Sequence, residues 1–553
     1  MESYRGFLLL ALGFISFLLY QQWQEDYATK PEVAQSKSAV TASEVPAAQI
    51  PVEGNQETDI PSAKPESKTN GQNLTTEKVI LSNDVIEITV DTFGGDVTKA
   101  KLLQFNKKLN NSDDKVVLLT EEDGRLFVAR SGILGDSTPD SSAKRATYKI
   151  IDQQSKGKLK QLTLSWTNEQ GVEFQKIFSL EPESYQLKVD FKVVNQSDKS
   201  IDVAVFNQLN RDRYVVSEGN AFGLQAYTGA AYSSEDTHYE KYEFEDMDDA
   251  DLNIKTKGGW IAYLQHYFLT AWIPDQNGIN QISTVVLNQD NSIIRVVQQW
   301  VNIGSQAEKT ISSTLYVGPK NQDKLESIAK NLDRTVDYGV LWLIGQPLFV
   351  LLTFFQAFVI NWGLAIILVT ITVKLLLYPL ANAQYKSFAK MRMLQPKLQQ
   401  LKERYGEDRQ KMSMAMMEMY KKEKVNPMGG CLPLLIQMPV FLALYWVLME
   451  SYEIRHAPFI FWIQDLSSKD PFFVLPVLMG ISMWGMQKLQ PTAATMDPMQ
   501  QKIMQLLPVM MTAFMAFFPS GLVLYWLVNN ILSIAQQLYI TNKIEKEYQT
   551  KKA

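Results

Sequence analysis

One cysteine, Cys431, stands among 553 residues, so no disulfide can close within the chain. Three histidines, His238, His266 and His456, are scattered without ligand spacing. That argues against structural zinc and Cys–His catalysis, and no metal or other cofactor is expected. No GxxxxGK(S/T) phosphate loop occurs, so no step driven by bound nucleotide is expected. Direct binding of nucleic acid is not expected either. Charge is also sparse, with 20% Asp, Glu, Lys and Arg and a net charge of -5. That average hides two unlike halves.

Near the start, Phe7–Tyr20 (FLLLALGFISFLLY) is apolar and follows Arg5. It reads as a cleaved signal peptide or as an uncleaved anchor. The following QQWQEDY offers no small-x-small cleavage site, which favours an anchor over 1–24 with its N-terminus in the cytoplasm. Residues 25–77 are rich in Ala, Ser, Thr, Pro, Glu and Gln and lack periodicity, which predicts a disordered tether. From residue 78 to about 320 the pattern changes. VILSNDVIEITVDT, FQKIFSL and YQLKVDFKVVNQ alternate polar with β-branched or aromatic residues, separated by turn clusters. That is the signature of a large all-β sandwich. The acidic stretch Tyr239–Asp251 reads as a solvated loop or helix.

Residues 321–337 have helical spacing at Leu325, Ile328, Ala329 and Leu332. With the apolar stretch Tyr338–Val359 they make a linker over 321–360. That stretch could span a bilayer, but Gln346-Pro347 interrupts it. An interfacial helix is preferred, because a span here would invert everything downstream. Over 361–541, apolar runs at Trp362–Leu380, Leu432–Met449, Phe472–Gln487, Met499–Phe518 and Leu522–Ile540 predict five spans. The anchor makes six. Eleven Lys and Arg lie between Lys386 and Lys424, and four more in the tail 542–553, whereas Ser451–Pro471 carries only Arg455 and Lys469. The positive-inside rule then puts both termini inside and the β domain outside.

Two segments could carry function. Between the first two of these runs, residues 382–430 read as a basic helical hairpin broken at Gly406. Met391, Leu394 and Leu398 recur on one face of its first arm, and Met412 and Met416 on a face of the second. Methionine suits adaptable apolar contact, although these residues could simply pack the hairpin. The second segment holds Lys374, a charge inside an apolar run and hence a functional-site hypothesis. Thr370 shares its helix face. Gln437 on the next run and Trp526 on the last could join it around a wet cavity. Alternatively, Lys374 snorkels to the headgroups, Gln437 bridges helices and Trp526 sits in an aromatic belt.

The stretches YPLANAQYKSFAKMRMLQPKLQ, EKVNPMGGCLPLLIQMPVFLALYWVLM and DPMQQKIMQLLPVMMTAFMAFFPSGLVLYW resemble the YidC/Oxa/Alb membrane-protein insertases. The external β domain and N-terminal anchor resemble the Gram-negative branch of that family. The resemblance implies a non-enzymatic insertase and chaperone of the bacterial inner membrane. Five core spans would enclose a hydrophilic groove, and the β domain would be a periplasmic supersandwich similar to sugar mutarotases. Lys374 stands where the family usually has arginine, with Thr370, Gln437 and Trp526 lining the groove or touching substrate. The hairpin would receive substrate. Implied partners are nascent membrane proteins, the Sec translocon with its accessory subunits, the translating ribosome and the lipid bilayer. Rival readings are a small-molecule transporter, an anchored carbohydrate enzyme and a passive assembly scaffold.

Overall fold

The computed structural model describes residues 76–140, 145–156, 159–213, 226–288, 291–405, 408–423, 432–489 and 498–552. The expected anchor lies outside the described residues, as does the expected tether up to residue 75. The described chain falls into two compact units that meet in sequence between Asp337 and Tyr338.

The first unit is all-β, as the alternating pattern predicts. One ten-stranded sheet runs, in spatial order, through Lys78–Ser82, Ile86–Asp91, Asp96–Asn106, Phe127–Gly135, Ile201–Asp212, Asn291–Val297, Ile279–Asn288 and Asn253–Lys257, with two short strands beside this path. The nine-stranded sheet carries Gln186–Asn195 and Val172–Leu180 next to the long strand Ala307–Pro319. All the pairings within both sheets' named strands are antiparallel, as hairpin connections require. Period-two burial is clearest in Val172–Leu180, where Val172, Phe174, Phe178 and Leu180 point into the core. The same register carries Lys176 inward.

The acidic stretch is partly structural. It forms the strand Glu240–Tyr242 and the short helix α1 (Phe244–Asp249), whose Met247 is buried. The expected linker divides at 337. Its first part is not one helix but α2 (Gln322–Ile328) followed by a 3-10 turn, Leu332–Thr335, because Asn331 takes a left-handed conformation. Leu325, Ala329 and Leu332 all join the β core, and Trp260 Nε1 donates to Lys330 O at 3.1 Å.

The second unit is helical: α3 (Trp342–Val359), α4 (Trp362–Leu376), α5 (Tyr378–Met393), α6 (Gln395–Tyr405), α7 (Arg409–Lys422), α8 (Leu432–Glu450), α9 (Val474–Leu489), α10 (Pro498–Met515) and α11 (Ser520–Lys552). Among the described residues, 339–359 is the one straight helical stretch long and apolar enough to cross a membrane. The expected straight run Trp362–Leu380 is corrected: the chain bends by 68° at Leu377. Pro379 accounts for the break, since it lacks the N–H that would continue the preceding helix and is tolerated in the first turn of a new one. The hairpin therefore begins earlier than 382, in α5. The tail is not a separate segment either, because α11 continues through it to Lys552. At 33 residues, α11 is about 50 Å long at 1.5 Å per residue.

Candidate functional site

Asn361 starts α4, its side chain accepting from Leu364 N at 3.0 Å. The helix is apolar on most sides, and Lys374 falls in its last turn, just before the bend. Lys374 is only 8% exposed. Its Nζ donates to Ser533 Oγ on α11 at 2.7 Å. Ser533 Oγ itself donates to Asn529 O at 2.7 Å, so its lone pairs face the ammonium. Among the described residues, no carboxylate lies within ion-pair distance of Lys374. One hydroxyl is a small compensation for a buried charge.

Beside this pair lies a cavity of about 140 Å³, with room for several waters. Gln437 and Phe441 of α8 line it, with Trp526, Asn529 and Ser533 of α11. Met486 of α9 and Gln384 and Tyr385 of α5 also line it, and the bend at Leu377 is what brings α5 to the cavity. Gln437 Nε2 donates to Asn529 Oδ1 at 2.6 Å. The Trp526 ring meets Phe441 edge-on, with centroids 4.5 Å apart. Further along α11, Asn530 Nδ2 donates to Ser482 Oγ at 3.1 Å and Gln537 Nε2 to Leu489 O at 2.9 Å, tying α11 to α9.

Of the four residues expected at the groove, Gln437 and Trp526 line the cavity, and Lys374 reaches its wall through Ser533. Thr370 is absent from the lining. It is buried and donates to Ile366 O in its own helix at 2.7 Å. Ser533 and Asn529 were not expected. The available signal was the spacing of Asn529, Ser533 and Gln537 at four residues, a polar stripe on an otherwise apolar helix.

The hairpin arms are antiparallel, because Lys397 Nζ near the start of α6 bonds Glu423 Oε1 just beyond α7 at 2.5 Å. Leu394 and Leu398 are buried, and Met391, Met412 and Met416 are half-buried. The side chains that stand clear are Met414 and Met417.

A second polar cluster lies in the β unit. Arg145 bonds Asp96, Asp140 Oδ1 at 3.0 Å, Ser131 O at 2.9 Å and Gly94 O at 3.2 Å. Lys176 Nζ donates to Gly94 O and Ser131 O, each at 2.6 Å. Tyr148 and Phe191 rings lie 5.5 Å from it. Burial pulls the Lys176 pKa down to about 8. Among the described residues, no cluster of His, Cys, Asp and Glu could hold a metal.

Two family models match the chain: the YidC periplasmic domain over residues 78–351 and the 60Kd inner membrane protein over 354–547. The membrane protein insertase YidC of Aeromonas salmonicida (strain A449) is 48% identical over 558 residues, covering 99% of each chain. The chain belongs to the YidC family of membrane protein insertases. The YidC insertase of Haemophilus influenzae (strain PittEE) is likewise 48% identical, over 99% of both chains. A crystal structure of active YidC insertase with the first transmembrane domain resolved is similar at 20% identity, over 83% of this chain and 91% of that one, with a TM-score of 0.37. A galactose mutarotase related enzyme from Lactobacillus acidophilus is similar to 44% of this chain and covers 97% of its own length, at 11% identity and a TM-score of 0.31. For a YidC family chain the activity is insertion of protein rather than a chemical conversion. The boundary between the two family models falls in α3, which belongs to the helical unit.

Proposed function

We propose that this chain inserts membrane proteins through the cavity beside Lys374, with the hairpin α5–α7 as the entrance. The observation that carries this is an under-compensated cation at the wall of a polar cavity among apolar helices. In a bilayer, a charge at the centre costs about 2.5–3.5 kcal/mol on insertion scales. A wet cavity reaching part-way across would lower that barrier for a substrate's polar flank. Lys374 would attract acidic residues in the flank, and Gln437, Asn529 and Ser533 would offer hydrogen bonds. Gln437 and Trp526 would touch substrate directly, with Thr370 acting only by holding the α4 wall. The hydrophobic segment would then leave sideways along apolar helix faces. Outward movement of an acidic flank gains about 2.3 kcal/mol per charge per 100 mV of membrane potential.

Six spans supply the frame for this reading: the N-terminal anchor, α4, α8, α9, α10 and the first part of α11. The helix α3 lies in the outer interface, supported by Gln346 and Pro347 within it and by the basic charge of the hairpin, which an extra span would put outside. The chain then sits in a bacterial inner membrane with its β supersandwich in the periplasm and its hairpin and tail in the cytoplasm. Its partners are nascent membrane proteins, the Sec translocon with its accessory subunits, and the translating ribosome.

The test is insertion of a single-span substrate with an acidic flank into proteoliposomes containing only this protein. Protease protection with the natural chain and much less with Lys374→Ala supports the reading. Equal protection with both would remove Lys374 from the mechanism. No protection with either would point to a scaffold.

A further inference from the structure

At the end of α8 away from the hairpin, three connections are locked together. Asn361, between α3 and α4, donates through Nδ2 to Phe459 O at 3.0 Å in the loop between α8 and α9. Gly363 lets the Phe459 ring approach, since a Cβ there would collide with it. The turn between α10 and α11 joins the same loop: Ser520 N donates to Ser468 O at 2.8 Å and Gly521 N to Leu466 O at 2.9 Å.

The loop itself is rigid, because its own donors occupy its two aspartates. Asp465 accepts from His456 N, Ser467 N and both serine hydroxyls, Ser467 and Ser468. Buried Asp470 accepts from Trp462 Nε1 at 2.9 Å, Phe472 N and Leu475 N. Yet this well-bonded assembly holds large apolar side chains outward. Ile360 is 84% exposed, Phe461 81% and Phe472 67%, and Ile460, Phe473 and Phe358 are exposed with them.

The backbone at these points is strained. Ile360, Phe461 and Phe473 have φ of 52°, 53° and 56°, a left-handed conformation that bulky residues avoid. Among the described residues the other left-handed positions outside glycine are all polar: Asp123, Ser137, Glu183, Gln306, Asn331 and, in this same loop, His456. Strain of this kind persists only where the surroundings over-determine it, and it concentrates at functional positions.

We infer that these connections form one preassembled aromatic rim that inserts into the headgroup–acyl boundary of the outer leaflet. The occupant is lipid, for two reasons on the molecule itself. The rim continues the exposed apolar surface of the adjoining helix ends, at Leu364 of α4 and at Val477, Leu478 and Ile481 of α9. It also mixes apolar rings with a Trp462 whose N–H is anchored, the amphipathic combination suited to that depth. Rigidity matters here. A rim held by hydrogen bonds to three connections fixes the depth of α4, α8 and α11, and so fixes how far the cavity beside Lys374 reaches across the bilayer. The inference rests on the six-span reading above.

The test uses the full chain with Cys431→Ser and one cysteine at Phe461, Phe472, Ile481 or Lys108, each labelled with an environment-sensitive fluorophore in phosphatidylcholine nanodiscs. Lys108, exposed in the β unit, is the aqueous reference, and Ile481 the lipid reference. Labels at 461 and 472 should emit blue of the Lys108 label and resist aqueous iodide several-fold better. A nitroxide near the lipid glycerol should quench them more than one near the chain end. Phe472 guards against local misfolding at the strained Phe461. If the rim labels follow Lys108 while Ile481 is quenched by lipid, the rim inference fails and the span reading stands. If Ile481 also behaves as aqueous, the span reading fails and takes the rim with it. Shielding of the rim labels from both iodide and lipid would mean that protein covers them, which also overturns the inference.

Discussion

Two buried lysines in this chain face opposite circumstances. Lys176 sits in the β core, with two carbonyl oxygens at 2.6 Å, two aromatic rings, and the Arg145–Asp96–Asp140 cluster beside it. Lys374 sits between apolar helices with one serine hydroxyl and a polar cavity. The difference teaches how to read a buried charge. Where several fixed neighbours answer it, as two carbonyl oxygens answer Lys176, the charge belongs to the architecture. Where the answer is partial and a cavity adjoins, electrostatic capacity is left over for something that arrives.

The largest effect is expected from damage to the cluster around Arg145. Arg145→Leu leaves Asp140 buried without its bonded cation, and Asp96 with only Arg130 at 3.5 Å. It should cost about 3–5 kcal/mol of stability in the β unit, read as faster hydrogen exchange along Phe127–Gly135. Little change in exchange would mean that the cluster is not what holds these strands.

The pH dependence at Lys176 comes next. Its pKa in the folded chain, about 8, lies below the ordinary 10.5. Below pH 8 both states bind the proton, and the lysine adds no slope. Between about 8 and 10.5 the unfolded chain holds the proton and the folded one does not, so stability gains from this group as pH rises. The gain is at most about 1.4 kcal/mol per pH unit. Comparing exchange of Val172–Leu180 in the natural chain and in Lys176→Met across that window isolates the effect. Parallel profiles would contradict it.

At the unsaturated site the expectation reverses. Lys374→Ala should leave thermal stability unchanged or slightly higher, because a poorly compensated charge is removed. Insertion of acidic-flank substrates should fall about tenfold or more, equivalent to about 1.4 kcal/mol, while substrates with uncharged flanks should change far less. A loss of stability as large as that of Arg145→Leu would show that Lys374 is structural too.

Ser533→Ala should give the smallest effect, about threefold on the same substrates. Water in the cavity can replace the hydroxyl, and an ordinary hydrogen bond contributes about 0.5–1.5 kcal/mol net. Insertion equal to that of the natural chain would mean that Lys374 needs no positioning.

Much of this was legible in the sequence. Period-two alternation marked the β unit, and even Lys176 was visible as the middle residue of V-E-F-Q-K-I-F-S-L, in step with Val172, Phe174, Phe178 and Leu180. Lys374, Gln437 and Trp526 stood out because polar or amphipathic residues are conspicuous in apolar runs. The pairing of Lys374 with Ser533 was not legible, since hydroxyls are common and nothing local tells which of them faces a given ammonium. Thr370 was misleading for a related reason: sharing a helix face does not prevent a hydroxyl from bonding back to its own carbonyl. The methionine faces of the hairpin are legible too, but they turn partly inward, and Met414 and Met417 remain clear.

The amino-acid order alone carries the division into an alternating half and an apolar half, the family, and the presence of a charge where charge is costly. These follow from periodicity and composition, which act locally. Packing across the unit is what bends the chain at Leu377 between α4 and α5, so that α5 lines the cavity, and what sets Asn529 and Ser533 against Gln437 and Lys374. It also decided that Ile360, Phe461 and Phe473 are held outward in strained conformations. Each of these depends on which distant groups meet, and the geometry of such meetings is set by packing across the whole unit rather than by any window of the chain.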